Sequence, residues 1–249
     1  YCHIDPHGRD NPESDSSHIY RVIKEEYRPG GAAAVAMLCK SLGAANVRLA
    51  TTFGHSDSLE ATRLWSLAHH HRVDVSGVIC SDNRRTTVKQ RFVANGKLHG
   101  DRFDFEDTTP IDRTCADHLL TDPLGDIVLV ADYGKGVVTN HLSTRLTLKT
   151  RLDGTPIIVD PARGRNWREY LGATIIKANW LEALAALPES IMHTISPAEV
   201  TRQLATRYAT TVVVTVGAGG LWHCQDERAI HVPARKAKCV DVTGAGDSV

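Results

Sequence analysis

The last residues of the chain, Cys239-Val240-Asp241-Val242-Thr243-Gly244-Ala245-Gly246-Asp247-Ser248-Val249, are of the types that anion chemistry needs. Small residues can open a helix there, which leaves the backbone N–H groups of Gly244, Ala245 and Gly246 pointing at one spot. Unpaired donors at a helix start, with the positive end of its dipole, hold anions, and small side chains let a phosphate come close. An aspartate in the same turn would repel a phosphate. Asp247 fits if it accepts a proton from a hydroxyl that attacks phosphorus while the backbone donors stabilise charge on the group in transfer. A glycine turn with a helix-capping aspartate would use the same residues without chemistry, and the segment alone leaves both readings open.

In Lys177-Ala178-Asn179-Trp180-Leu181-Glu182, a buried strand gives way to a helix. Asn179 stands at the N-cap, and Glu182 three residues on completes a capping box. The same amide and carboxylate at a strand's carboxyl end suit a hydrated magnesium ion beside phosphates, since magnesium keeps waters and takes few protein carboxylates. The two readings are compatible. Val214-Thr215-Val216-Gly217-Ala218-Gly219-Gly220 also follows a strand. It lacks the spacing of a dinucleotide fingerprint, and Leu221 to Val232 reads as a hairpin where that fingerprint needs a helix; a loop alongside a nucleotide still fits.

Asp132-Tyr133-Gly134-Lys135-Gly136 and Asp160-Pro161-Ala162-Arg163-Gly164 each follow a buried strand, the place where open α/β sheets put their ligands. Lys135 and Arg163 suit an anionic substrate group, although exposed basic residues often have no such role. Pro29-Gly30-Gly31-Ala32-Ala33-Ala34 opens a helix. Its glycines serve either close helix packing or a backbone that a ligand must approach.

These segments need a scaffold, and the periodicity supplies one. Short apolar runs at 126–131, 156–160, 173–178 and 210–216 read as strands covered on both faces. Helical patterns at 31–42, 58–70, 139–152 and 196–208 alternate with them, the last with Ser196 as N-cap and Pro197 at the first helical position. This order is α/β around a largely parallel sheet. Thr86 to Ala94 and Leu98 to Phe105 instead alternate apolar and polar residues across Asn95-Gly96, a strong hairpin signal with one wet face. With the strand-like Ile19 to Glu25, the hairpin forms a small β flap over a site. No internal repeat or low-complexity linker marks a second domain.

Composition bounds the function. The 249 residues contain 42% hydrophobic and 23% charged residues, with 29 Lys plus Arg against 29 Asp plus Glu and a formal net charge of zero. That is an ordinary globular composition, and it lacks the basic surplus of a nucleic-acid binder. No apolar run reaches the roughly eighteen residues a membrane span needs. Cys2, Cys39, Cys80, Cys115, Cys224 and Cys239 are scattered without metal-ligand spacing, as for reduced thiols of a cytoplasmic protein. His69, His70 and His71 close a helical stretch and point in different directions, which suits a solvated helix end better than a metal site. Tyr1 to Asp15 has no apolar signal-peptide core, and a start other than Met reads as a missing upstream segment.

The order of the motifs is Gly-Gly, β hairpin, D-Y-G-K-G, N-x-x-E, V-T-x-G-x-x-G and D-V-T-G-A-G-D, and it resembles the ribokinase-like (PfkB) family of carbohydrate kinases across residues 1–249. The resemblance implies an α/β/α sandwich with a mainly parallel sheet and a β lid from strands near 16–28 and 86–106. Within the family, P-G-G-A-A, Arg102 to Glu106, D-Y-G-K-G and Tyr170-Leu171-Gly172-Ala173 are most similar to kinases of D-glycero-D-manno-heptose 7-phosphate, which act on the anomeric hydroxyl and are often fused to a nucleotidyltransferase. The resemblance implies ATP and magnesium as cofactors, potassium as a further ion, and a homodimer built through the lid. By it Asp247 is the catalytic base, and Gly244, Ala245 and Gly246 form the anion hole. Asn179 and Glu182 arrange magnesium and the nucleotide phosphates, with Glu182 acting through water. Thr215, Gly217 and Gly220 form the nucleotide loop, and Asp241 and Thr243 hold the monovalent cation. Gly30, Gly31, Arg102, Asp104, Lys135 and Arg163 recognise the sugar.

Three features depart from the family pattern. Ala34 replaces a sugar-binding Asn, and D-P-A-R-G replaces D-P-K-G, which moves the basic residue to Arg163. The family's first strand and the helix after G-A-G-D are expected before Tyr1 and after Val249, so both termini read as truncated. The alternatives to a heptose kinase are another sugar or nucleoside kinase of the family, an inactive fragment of one, and, resting only on V-G-A-G-G, a nicotinamide-binding oxidoreductase.

Overall fold

The computed structural model describes residues 1–188, 195–235 and 249, and the chain divides into two compact units, Tyr1–Asp107 and Thr108–Val249. In the first unit, β1 (Cys2–Ile4) is followed by β2 (Arg9–Asn11), β3 (Ser14–Ile19), β4 (Val22–Glu25), α1 (Gly31–Ser41), β5 (Arg48–Phe53), α2 (Leu59–His70), β6 (Asp74–Cys80), β7 (Val88–Ala94) and β8 (Lys97–Phe105). A four-stranded sheet runs in the order β4-β1-β7-β8, with β1 antiparallel to β4 and parallel to β7. Asn95 and Gly96, both at positive φ, make the β7–β8 turn that the Asn-Gly pair dictates. β5 and β6 pair in parallel. Buried Ala33, Ala36 and Met37 of α1, Ala61 and Ala68 of α2, and Leu49 and Phe53 of β5 form one apolar cluster.

Two expectations for this unit need correction. The strand expected at 19–25 is split, because Ile19 ends β3, which pairs with β2, while β4 begins at Val22 and pairs with β1. β8 does not show one buried face: Leu98 and Phe103, of opposite parity along the strand, are 63% and 51% exposed. It is the edge of its sheet, so alternation in the sequence is not matched by a covering layer there.

The second unit contains α3 (Arg113–His118), β9 (Val128–Ala131), α4 (Asn140–Asp153), β10 (Ile157–Asp160), a 3-10 turn at Trp167–Tyr170, β11 (Ile175–Asn179), α5 (Trp180–Ala185), α6 (Pro197–Tyr208), β12 (Thr211–Thr215), a 3-10 turn at Gly217–Gly219, β13 (Leu221–Gln225) and β14 (Arg228–Val232). Its six-stranded sheet has the order β14-β13-β12-β11-β10-β9; β9 to β12 are parallel, and β13 and β14 continue antiparallel as the expected hairpin. Side-chain caps start the helices where Ser and Thr stand: Thr139 accepts from Leu142 N, and Ser196 from Glu199 N ahead of Pro197. Ile157, Val159, Ile176, Val212 and Val214 from the strands bury against Val200, Leu204 and Tyr208 of α6. β9 departs from expectation. Val128 and Val130 pack on this core while Leu129 between them is 43% exposed, because β9 ends the sheet.

Gly136 and Gly30 separate two uses of glycine. Gly136 has φ +76°, and a Cβ there would stand 2.2 Å from the Thr109 carbonyl oxygen, so only glycine fits. Gly30 caps α1 at φ −129°, and a Cβ there would meet nothing within 4 Å, so packing does not require it. Gly136→Ala should therefore destabilise by about 3 kcal/mol, roughly 6–12 °C in a melting midpoint for a chain of this size. Gly30→Ala should cost under about 1 kcal/mol. Thermal unfolding of the two variants checks the contrast, and equal losses would refute it.

Candidate active site

Parallel pairing in register sets the carboxyl ends of four strands in a row. Ala131 of β9 stands opposite Asp160 of β10, and Asn179 of β11 opposite Thr215 of β12. The segments that leave these ends are D-Y-G-K-G, D-P-A-R-G, N-W-L-E and G-A-G-G, so topology gathers what the sequence spreads over about eighty-five residues, at the edge where open α/β sheets place ligands.

Asp132 anchors the first of these loops. Its side chain is 2% exposed, and a carboxylate that far from water needs compensation in charge and hydrogen bonds. The Tyr170 hydroxyl donates to Oδ2 at 2.5 Å, Arg165 Nε lies 3.1 Å from the same oxygen, and Gly134 N donates to Oδ1 at 2.8 Å. The last bond bends the chain so that Gly134 and Gly136 take positive φ with Lys135 between them. Arg165 is held in turn: its Nη2 donates to the Val138 carbonyl at 2.7 Å and lies 2.8 Å from Glu169 Oε2, an ion contact not aligned as a hydrogen bond. Burial, and next the bond to Asp132, push the Tyr170 hydroxyl well above its ordinary pKa.

Asp160, whose side chain is 30% exposed, ends the neighbouring strand and also holds a cation. Lys177, buried within β11, donates from Nζ to Asp160 Oδ2 at 2.8 Å. The pairing of Val159 with Ile176 brings the two side chains together, since the next residue on each strand is Asp160 and Lys177.

At the end of β11 the capping box is complete. Asn179 Oδ1 accepts from Glu182 N at 3.0 Å and Glu182 Oε2 accepts from Asn179 N at 2.9 Å. Glu182 Oε1 bonds to no described residue. A carboxylate oxygen and an amide oxygen at a strand end are the hard donors magnesium takes. No group of three or more His, Cys, Asp or Glu that could hold a metal occurs among the described residues. A divalent ion held by Asn179 and Glu182 would complete its shell with water and phosphate oxygens. Beyond β12, Gly217 at φ +58° opens a 3-10 turn, and Gly220 at φ +89° closes it.

The strand-end residues Asn179, Glu182, Thr215, Gly217, Gly220, Lys135 and Arg163 thus share one edge of one sheet. Gly30, Gly31, Arg102 and Asp104 belong to the first unit. There Arg102 and Asp104, two apart on β8, form a bidentate pair at 2.7 and 2.9 Å. Asp241, Thr243, Gly244, Ala245, Gly246 and Asp247 lie outside the described residues.

Sequence reading missed Asp132, Tyr170, Arg165, Asp160 and Lys177 as an interacting set. A signal existed for Lys177, because a cation inside an otherwise apolar strand must find an anion. Nothing local marks Tyr170 or Arg165, whose partner is Asp132 on another strand end.

The model of the family described as "pfkB family carbohydrate kinase" matches residues 7–249. The bifunctional protein HldE of Gluconobacter oxydans is 32% identical over 232 residues, 89% of this chain and 47% of that protein. HldE of Rhodospirillum rubrum is 35% identical over 240 residues, 93% of this chain and 47% of that protein. The chain spans about half the length of these curated relatives. Among solved structures, phosphofructokinase-2 of Escherichia coli superposes with a TM-score of 0.74 at 20% identity, over 99% of this chain and 80% of that one. Ribokinase of Thermotoga maritima gives 0.69 at 18% identity, over 99% and 78%. The fold is ribokinase-like α/β.

The raised Tyr170 makes a prediction with a definite sign. Above about pH 10 the unfolded chain releases this proton while the folded chain keeps it, so stability falls as pH rises toward the higher native value. Tyr170→Phe should remove that alkaline slope, which reaches at most about 1.4 kcal/mol per pH unit. Near neutrality it should cost about 1–3 kcal/mol by leaving Asp132 a donor short. Denaturant unfolding at pH 7 and between pH 10 and 11 measures both; parallel curves for the two proteins would refute the assignment.

Proposed function

The chain belongs to the pfkB family of carbohydrate kinases, and from that premise we propose that it transfers the γ-phosphoryl group of ATP to the anomeric hydroxyl of D-glycero-D-manno-heptose 7-phosphate. The observation that carries the reading is the Asn179–Glu182 capping box in register with Thr215 and the Gly217–Gly220 turn. A hard-oxygen pair stands there beside a loop with no side chain larger than methyl, at the sheet edge where α/β folds bind phosphates. The heptose assignment is supported by R-F-D-F-E at Arg102 to Glu106, by D-Y-G-K-G, and by similarity to the two bifunctional relatives.

Each residue then has a task. Asp247 removes the proton from the attacking hydroxyl, and Gly244, Ala245 and Gly246 donate backbone hydrogen bonds to the group in transfer. Glu182, through water, and Asn179 orient magnesium, which when bound screens the negative charge of the phosphates and polarises them toward attack. Thr215, Gly217 and Gly220 hold the nucleotide. Lys135 and Arg163 meet the sugar's own phosphate from neighbouring strand ends, and Gly30 and Gly31 admit the sugar to the backbone. Positioning and charge stabilisation supply most of the rate, as expected for phosphoryl transfer.

In the complete protein this activity would be the kinase half of a bifunctional enzyme whose other half is a nucleotidyltransferase. The exposed Val22, Ile23, Leu98 and Phe103 of the four-stranded sheet support a lid that pairs between two copies. Ala34, in place of the family's sugar-binding Asn, favours a second reading in which the same chemistry acts on another sugar.

The test is turnover of ATP with heptose 7-phosphate, fructose 6-phosphate, ribose and a nucleoside. Heptose 7-phosphate should give the highest kcat/KM, and a preference for any of the others would replace the substrate assignment. Asp247→Asn should lower kcat by about 10²–10⁴-fold with little change in the KM for ATP. Normal turnover by that variant would overturn the mechanism.

A further inference from the structure

Residues 217–220 read Gly-Ala-Gly-Gly, so the proposed nucleotide loop has almost no side chain with which to fasten itself to the protein. Glycine backbones have the most freedom to lose, and a loop left loose must be ordered by the ligand at the ligand's expense in affinity. Its internal bonds, Gly219 N to the Val216 carbonyl at 3.1 Å, Gly220 N to the Gly217 carbonyl at 3.0 Å and Val216 N to the Gly220 carbonyl at 2.8 Å, shape the turn without tying Gly219 to another element.

That tie comes from β14. His231 Nε2 lies 2.7 Å from the Gly219 carbonyl oxygen. A carbonyl can only accept, so Nε2 carries the hydrogen, as it does both in the neutral Nε2–H tautomer and in the imidazolium. The imidazole is itself held by stacking on Trp222, its cross-strand partner on β13, with ring centroids 4.7 Å apart and planes 22° apart. The chain beyond His231 closes the other side of the turn: a Cβ on Gly220 would stand 2.2 Å from the Val232 carbonyl oxygen and 2.6 Å from Ala234 N.

We propose that His231, braced by Trp222, is a positioning residue that preorganises the Gly217–Gly220 loop for the nucleotide. The inference rests on the kinase reading above. His231 does not touch the reacting atoms; it acts through the Gly219 carbonyl, which sets the direction of the peptide groups that face the phosphates or the base. Its effect falls on nucleotide affinity and leaves the sugar side and the chemical step unchanged.

The experiment compares the complete protein with its His231→Ala and His231→Gln variants, measuring kcat, the KM for ATP, the KM for the sugar phosphate and the melting midpoint. His231→Ala should raise the KM for ATP by roughly 3–10-fold, the factor that one lost hydrogen bond to a backbone carbonyl carries, with the sugar KM unchanged within about twofold. His231→Gln, whose amide donor replaces Nε2, should recover most of the loss. This rescue keeps the test decisive even where the alanine variant is less stable. An unchanged ATP KM in His231→Ala, an equal rise in both KM values, or a glutamine variant no better than alanine would each overturn the inference while leaving the kinase reading intact. No ATP turnover by the unmutated protein with any sugar would overturn the kinase reading, and the loop's role with it.

Discussion

Four parallel strands end together, and three charged side chains are buried or half-buried at those ends: the carboxylates of Asp132 and Asp160 and the ammonium of Lys177. Charge taken out of water must be matched locally or the site will not hold its shape. Lys177 meets Asp160, and Asp132 receives Tyr170, Arg165 and Gly134 N. The contribution of these bonds is geometric more than energetic, because a buried ion pair gives little net stability over apolar packing while losing one partner is costly. The D-Y-G-K-G loop is thereby fixed in a backbone conformation with positive φ at Gly134 and Gly136 that glycine adopts freely and other residues rarely do.

A second constraint is the register of the sheet. The side-chain period of a strand is two, so slipping β11 by one residue against β10 would part Lys177 from Asp160 and turn the Ile176 face of the strand out of the core. Core and site therefore specify the same alignment. The apolar residues Val159, Ile176, Val212 and Val214 select the register, and the polar residues one place along receive their positions from it. This also accounts for the contrast among the glycines. Gly136 and Gly220 stand where another segment's backbone closes in, whereas nothing approaches Gly30.

What could be read from the sequence follows the range of the forces involved. Helix starts at Ser58, Thr139, Asn179 and Ser196 were legible because a cap is satisfied within three residues. The Asn95-Gly96 turn was legible for the same reason. β1 was not, since Cys2–Ile4 is too short to show a period and is a strand only by pairing with Phe92 and Val93 far along the chain. The motifs at the strand ends could be listed in order, but the Asp132–Tyr170 bond spans 38 residues and the Asp160–Lys177 bond 17, and no local pattern encodes such partners. The split of the expected 19–25 strand has the same origin, because β3 and β4 choose different partners.

The proposed reading sets two anionic ligands against a neutral net charge, and the two are reconciled by where cations are already engaged. Arg165 faces Asp132 and Glu169, and Lys177 faces Asp160, so these cations serve the scaffold. Arg163, exposed just after β10, makes no ion pair with any described residue. A basic side chain held by carboxylates is poorly placed to meet a phosphate, whereas a solvated one gives up only water. In the proposed kinase reading, D-P-A-R-G would then present the basic side chain of the family's D-P-K-G one residue along. In that reading the rest of the positive potential a phosphate needs would come from backbone N–H groups and from a metal ion beside Glu182, sources that appear in no count of Lys and Arg.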